Sequence, residues 1–271
     1  MKIENVIKKF NQEEIYLCPK CLSESHIEGI SLVCNENHRY DFSKKGYIHL
    51  INNYKPTKYS EELFMARNEV FSNGFYTNVL KNIQNLVGKY AKDVVLDIGC
   101  GEGYYIKKLK TVFPEKYFYG LDNSKDAIEL AVKEDKLNSY MVANLANLPF
   151  KDGSVSCILN ILTPANYEEF FRVLGDDGYL IKIIPNTNYL REIRELIGGK
   201  EYTNSDTVKL IEENCKIVDR ITVSDTFQLT KEQAASFLKM TPLTFSKEIT
   251  DSDINQLREI TIDLELLVCK K

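Results

Sequence analysis

Four side chains near the start of the chain have the types and spacing of a metal site. Cys18-Pro-Lys-Cys21 is a two-residue knuckle; after twelve intervening residues comes Cys34, and after three more His38. Each half presents two donors on a tight turn, and two turns close a tetrahedron around one ion. Three thiolates and an imidazole in a closed four-coordinate set suit Zn²⁺, which stabilises a small fold lacking a core of its own. Three thiolates overcompensate the ion, which favours Lys20 or Arg39 as neighbours. A redox pair is the rival reading of Cys18 and Cys21. It needs a thioredoxin-like strand–helix setting, and the second Cys–His pair argues against it. Buried thiols beside an exposed His are the plain alternative. Four good donors leave no open position, so the expected metal is structural. His26 reads as a bystander and His49 as a structural residue on a short strand.

A second group of residues lies where a strand must turn sharply into a helix: Asp97-Ile-Gly99-Cys-Gly101-Glu102-Gly103-Tyr-Tyr. Glycines let the backbone approach a ligand and adopt angles closed to other residues. Asp122 ends the next strand, 21 residues after Gly101, where a carboxylate can accept hydrogen bonds from both ribose hydroxyls. The pattern is GxGxG with an acid two positions before the first glycine. Dinucleotide sites usually show GxGxxG without that acid. An acid there suits the cationic amino-acid head of S-adenosylmethionine (SAM). A purely structural turn and a nicotinamide site are the competing readings. Asn144, after the third strand, either hydrogen-bonds an adenine or caps the following turn. Leu162-Thr163-Pro164 follows the fourth strand, and ligands of doubly wound sheets sit at the carboxyl ends of strands. This segment is expected to wall the reacting centre.

The elements that must position these groups follow from pattern. Residues 15–51 are dense in Cys, His, aromatic and turn residues and carry no helical period. Short strands fit Gly29–Val33 and Tyr47–Ile51. Residues 52–60 read as a polar linker. Ser60 is placed to cap a helix through EELFMARNEVF, Gly74 breaks it, and TNVLKNIQNLV resumes. From Lys92 strands and helices alternate. Strands are expected at Asp93–Ile98, Tyr117–Leu121, Ser139–Ala143, Val155–Asn160, Tyr179–Ile184, Ile217–Val223 and Ile260–Val268, with helices such as Tyr105–Val112, Lys125–Lys133 and Asn188–Ile197. The expected fold is α/β: a Rossmann-like domain with a seven-stranded, mostly parallel sheet over residues 91–271, connector helices over 53–90, and a zinc-ribbon-like module over 1–52.

Composition narrows the function. The 271 residues carry 35 Lys and Arg against 39 Asp and Glu, for a net charge of −4, which excludes a uniformly basic nucleic-acid binder but not a local basic patch. No apolar run spans a membrane, and the polar N-terminus does not read as a secretory signal. Seven cysteines without dense, even spacing make a reducing, cytoplasmic home the default. Arg39, Lys44, Lys45, Lys55 and Lys58, interleaved with Tyr40, Phe42, Tyr47 and Tyr54, form a basic-aromatic strip. That strip either tracks an RNA backbone or is a solvated face over a small core. Arg67 either pairs with RNA phosphate or braces the domain.

Together these residues resemble the RlmA family of large-subunit ribosomal RNA guanine-N1 methyltransferases, over about Cys18 to Val268. The resemblance rests on the Cys and His knuckles with the following YDFSKKGYIHLI, AR…F..GFY at Ala66 to Tyr76, DIGCGEGYY, GLDxSKxAI at Gly120 to Ile128, LPF at Leu148 to Phe150 and MTP at Met240 to Pro242. It implies SAM-dependent methyl transfer to N1 of a guanine in a 23S RNA hairpin. It also implies a homodimer whose zinc modules border an RNA cleft, with neither membrane nor DNA as partner. By position, the family's cofactor contacts fall on Tyr76, Gly101 and Glu102. A family His falls on Tyr189, and the family's aromatic-Ala-Pro appears as Leu162-Thr163-Pro164. The motifs offer no evident general base, and backbone N–H groups around Thr163 to Asn166 are placed to hold a guanine carbonyl oxygen. A methyltransferase acting on a small molecule or protein, and a non-catalytic SAM-binding RNA-binding protein, are the alternatives.

Overall fold

Apolar residues alternate along the first strand of the large domain, and each set enters a different layer of core. Val94, Leu96 and Ile98 join one layer and Val95 the other. That period of two makes a sheet buried on both faces. The computed structural model describes residues 2–10, 12–52, 54–55, 59–199 and 201–271. Lys58, one of the expected RNA contacts, lies outside the described residues.

Helix α1 (Ile3–Ile7) precedes a three-stranded antiparallel sheet of β1 (Ser25–Glu28), β2 (Ser31–Cys34) and β3 (Arg39–Asp41). The expected strand from Gly29 starts two residues later. Gly29, at φ +60°, and Ile30 form the hairpin turn between β1 and β2. Then follow β4 (Tyr47–His49), α2 (Glu61–Ser72) and α3 (Thr77–Tyr90). Ser60 caps α2, its side chain accepting from the Leu63 N–H. The remainder alternates: β5 (Val94–Ile98), α4 (Tyr104–Val112), β6 (Tyr117–Asp122), α5 (Lys125–Glu134), β7 (Ser139–Val142), β8 (Val155–Ile161), α6 (Tyr167–Val173), β9 (Leu174–Pro185), α7 (Arg191–Leu196), α8 (Ser205–Asn214), β10 (Lys216–Gln228), α9 (Lys231–Met240), α10 (Asp251–Gln256) and β11 (Glu259–Lys270). The helix expected from Asn188 begins only at Arg191, after Leu190 takes a left-handed backbone at φ +51°.

The large sheet runs β10-β11-β9-β8-β5-β6-β7-β4. All neighbours from β4 to β9 are parallel, and β11 is antiparallel to both of its neighbours. It therefore has eight strands among the described residues, not seven. The eighth, β4, lies within the segment expected to form the zinc module, yet Tyr47, Ile48 and His49 pair with Tyr140, Met141 and Val142 of β7. The N-terminal segment also covers one face of the sheet. Phe10, Tyr16 and Phe42 join Tyr119 and Phe150 in a cluster of tilted and edge-on rings, and the Tyr16 hydroxyl donates to that of Tyr119 at 3.2 Å. Cys18 and Cys34 belong to the same apolar layer, so the metal module is packed on the sheet it precedes. The strand order reverses between β5 and β8, which is where a doubly wound sheet opens a crevice.

Candidate active site

The turn after β5 is built on three left-handed glycines: Gly99, Gly101 and Gly103 have φ of +77°, +55° and +75°. Any other residue there would be strained. At Gly99 a methyl would overlap the Thr163 side chain, and at Gly103 it would overlap the Tyr140 ring and hydroxyl. The turn is tied to β6, with the Gly99 and Cys100 N–H groups donating to the Leu121 carbonyl. Asp122 accepts from the Gly101 N–H at 2.9 Å and the Ser124 N–H at 2.8 Å. Its carboxylate is thereby held in place at the lining of the crevice.

That crevice is a cavity of about 740 Å³, bounded by both halves of the expected site. Gly99, Asp122, Asn144, Arg67, Tyr76 and Tyr189 line one part; Leu162, Thr163, Pro164 and Lys182 line another. The family-like segment Met240-Thr241-Pro242 closes it as well. Asp97, Gly101, Glu102 and Gly103 stand behind this surface and shape it.

The electrostatics favour a cation. Asp97 is buried and neither carboxyl oxygen has a hydrogen-bond partner. Burial, followed by the nearby Asp122 carboxylate, pushes its carboxyl up to about 8. Burial also raises Glu102 and Asp122, against the Arg67 guanidinium in the first case and backbone N–H donors in the second. Three desolvated carboxyl groups around one turn, with all four oxygens of Asp97 and Glu102 lacking a hydrogen-bond partner, fit a ligand with an ammonium and a sulfonium. SAM is such a ligand.

Arg67, read from the sequence as either an RNA phosphate contact or a brace of the domain, lines the cavity. It points into the cavity, 3.7 Å from Glu102, with its guanidinium over the rings of Phe64 and Phe71. Tyr189 stands opposite Tyr76, and their hydroxyls are 2.8 Å apart. Asn144 both lines the cavity and caps its turn, accepting from the Ala146 N–H at 3.0 Å. Leu162 is a non-glycine residue at φ +55°, and the turn it begins is held by the Asn160 amide, which donates to the Thr163 hydroxyl and the Pro164 carbonyl.

The metal site closes on the expected residues. Donor atoms of Cys18, Cys21, Cys34 and His38 all lie within 4.8 Å of one another. Zinc bonds of about 2.3 Å to sulfur and 2.0–2.1 Å to nitrogen require edges of about 3.8 Å between sulfurs and 3.6 Å from sulfur to nitrogen. The observed edges are 3.7 Å for Cys21–Cys34, 3.6 Å for Cys18–His38 and 3.5 Å for Cys34–His38. The donor set fits a tetrahedral zinc. Arg39 faces away to Glu28 at 3.3 Å, so it is not the neutralising neighbour; the His38 N–H donates to the Cys34 sulfur instead.

The aromatic half of the basic strip is core. Tyr40, Phe42 and Tyr47 are buried, and the Tyr54 hydroxyl accepts from the Lys125 N–H. The rings of Tyr40, Phe42 and Tyr47 are therefore closed to stacking, while Tyr54 is half-buried. Lys44, Lys45 and Lys55 are all exposed, and Lys45 pairs with Glu129 at 2.7 Å.

Two family models match the chain: a methyltransferase domain over residues 95–178, and the RlmA N-terminal zinc ribbon over residues 16–55. A Bacillus subtilis protein described as a putative 23S rRNA (guanine-N(1)-)-methyltransferase is 31% identical over 280 residues, covering 95% of this chain and 97% of that one. The chain belongs to the RlmA family. A second relative, the 23S rRNA (guanine(748)-N(1))-methyltransferase of Streptomyces fradiae, is 24% identical over 93% of this chain and 95% of its own. A putative 23S rRNA (guanine-N(1)-)-methyltransferase of Micromonospora griseorubida is 25% identical over 67% and 69%. As an RlmA-type methyltransferase the protein takes SAM as its methyl donor and zinc as a structural metal. No helix among the described residues is long and apolar enough to cross a membrane.

Sequence reasoning missed Lys182, whose only signal was one cation inside the apolar run Tyr-Leu-Ile-Lys-Ile-Ile. It also missed Arg194 and Tyr202, which line the cavity as a stacked pair at 5.2 Å.

Proposed function

We propose that the protein transfers the methyl group of SAM to N1 of a guanine in 23S ribosomal RNA. The single observation that carries this reading is the shared cavity, in which the glycine turn and the strand-end wall Leu162–Pro164 face one space of about 740 Å³. That size lies inside the range of small-molecule sites, about 300–1,000 Å³. The guanine-N1 activity named for the RlmA relatives supports the choice of acceptor.

When bound, SAM supplies an electrophilic methyl on a sulfonium. The remaining work is placement of the acceptor nitrogen in line with the methyl and sulfur. On this reading Asp97, buried directly behind the cavity wall, supplies the negative charge that draws the ammonium of the methionine head, while Arg67 takes its carboxylate and Asp122 the ribose hydroxyls. Asn144 and the Ala143 backbone border the adenine. The Tyr76–Tyr189 pair closes the methionine end. Guanine N1 is engaged within a duplex, so the base leaves its helix to reach the wall at Leu162–Pro164. Loss of the N1 proton places charge on O6, to which the backbone N–H groups of Thr163, Ala165 and Asn166 would donate.

Labelled methyl transfer from SAM to unmodified 23S RNA tests the reading. The expected result is incorporation and a single new stop in primer extension, because a methyl on the pairing face blocks reverse transcriptase. Binding of SAM without incorporation into that RNA under zinc-replete conditions would overturn the choice of acceptor.

A further inference from the structure

The cavity wall contains a buried cation with no assigned role. Lys182, at the carboxyl end of β9, is only 4% exposed, yet it lines the cavity. Its ammonium donates to the Asn160 carboxamide oxygen at 2.5 Å and to the Thr163 carbonyl at 2.6 Å. Asn160 is its direct neighbour across the β8–β9 ladder. Lys182 thus orients the carboxamide so that the Asn160 amide faces Thr163, Pro164 and the Ile98 carbonyl. The Thr163 hydroxyl in turn donates to Ile98, beside Gly99. One network therefore runs from the lysine through the acceptor wall to the glycine turn.

A buried lysine is retained at a cost in desolvation, and an apolar residue would suit this strand better. The wall explains it. Leu162 holds a left-handed backbone that a branched side chain disfavours, and such a turn persists only where its surroundings over-determine it. We propose that Lys182 is a positioning residue for methyl transfer, its ammonium fixing the Leu162–Pro164 turn against which the acceptor base is placed. This rests on the guanine-acceptor reading above. Burial lowers the lysine to about 8, so its hold weakens as it loses its proton. Asn160 faces it from β8 and carries no charge. From β11 the Cys269 thiol faces it, itself held up by its hydrogen bond with Cys215 and by burial. Tyr167 of α6, pushed up by burial to about 12, faces that same thiol pair.

The test compares the full chain with Lys182→Met and Lys182→Arg. With 23S RNA and SAM at pH 7, kcat is expected to fall at least about tenfold in Lys182→Met and to return to within about threefold in Lys182→Arg, with calorimetric SAM affinity changed less than about threefold. The ratio of wild-type to Lys182→Met rates, in which ionisation of the guanine cancels, falls as pH rises past about 8. Should Lys182→Met not fold, the ratio of wild-type to Lys182→Arg falls over the same range, because arginine keeps its charge. Amide hydrogen exchange over residues 160–166 needs no RNA and is expected to speed up about tenfold in Lys182→Met. Unchanged exchange, unchanged kcat or a pH-independent ratio would overturn the proposal. Absence of methyl transfer by the wild type, with exchange accelerated in the variant, would sink the RNA reading while leaving the wall's dependence on Lys182 intact.

Discussion

Binding of SAM should release a proton, and Asp97 is the group that releases it. Its carboxyl is pushed up to about 8, first by burial and then by Asp122, with Glu102 adding to it and Arg67 opposing. At pH 7 such a group carries about 0.9 proton, at pH 8 about 0.5 and at pH 9 about 0.1. An ammonium set against it restores the carboxylate and expels that proton. Below pH 7 the cofactor's own amine stays charged, since α-amino groups titrate at about 7.7–8.0. The SAM association constant should then rise nearly tenfold per pH unit between pH 5 and 7, level off near pH 8 and fall above it as the cofactor's amine loses its own proton. The same shift bears on stability. A carboxyl raised in the folded state binds a proton that the unfolded chain has lost, so between about pH 4 and 8 the ligand-free protein loses stability as pH rises. SAM should protect most at the upper end of that window. Calorimetric titration in two buffers of different ionisation enthalpy measures the proton directly, and Asp97→Asn should abolish both its release and the pH slope. A pH-independent affinity in the wild type, or equal proton release by Asp97→Asn, would refute the reasoning.

The purified chain should contain one zinc, and Cys34→Ala, which removes the donor shared by two of the three close edges of the site, should hold little metal; elemental analysis checks both. Gly103→Ala combines a left-handed backbone with overlap on Tyr140, which is hydrogen-bonded to Asp135 and cannot withdraw freely. A cost of about 1–3 kcal/mol for the backbone alone corresponds to a melting temperature lower by roughly 2–10 °C, and an unaltered thermal melt would contradict it.

Residues that act with their sequence neighbours were legible in the sequence. The period of two along β5, the glycines that must be left-handed, the Ser60 cap and the knuckle spacing each express a local constraint, and a local constraint leaves its mark within a few residues. The seven strands of the large domain were recovered on the same ground. Packing decided what those marks could not. Tyr40, Phe42 and Tyr47 sit among cations in the sequence, but the sheet face and β7 claim them as core. Whether a ring between two lysines is buried depends on which surface passes over it. Arg67 stands on a helix remote in sequence from the glycine turn, and only the fold brings it beside Glu102. Lys182 interrupts an apolar strand, and nothing nearby in the chain reveals that Asn160 and Thr163, some twenty residues upstream, are its partners. The chain thus spelled out its metal site and its glycine turn, because short-range sterics and donor chemistry specify them. The eighth strand and the charges around the Leu162–Pro164 turn waited on tertiary structure, because burial and hydrogen-bond partnership are properties of distant segments meeting.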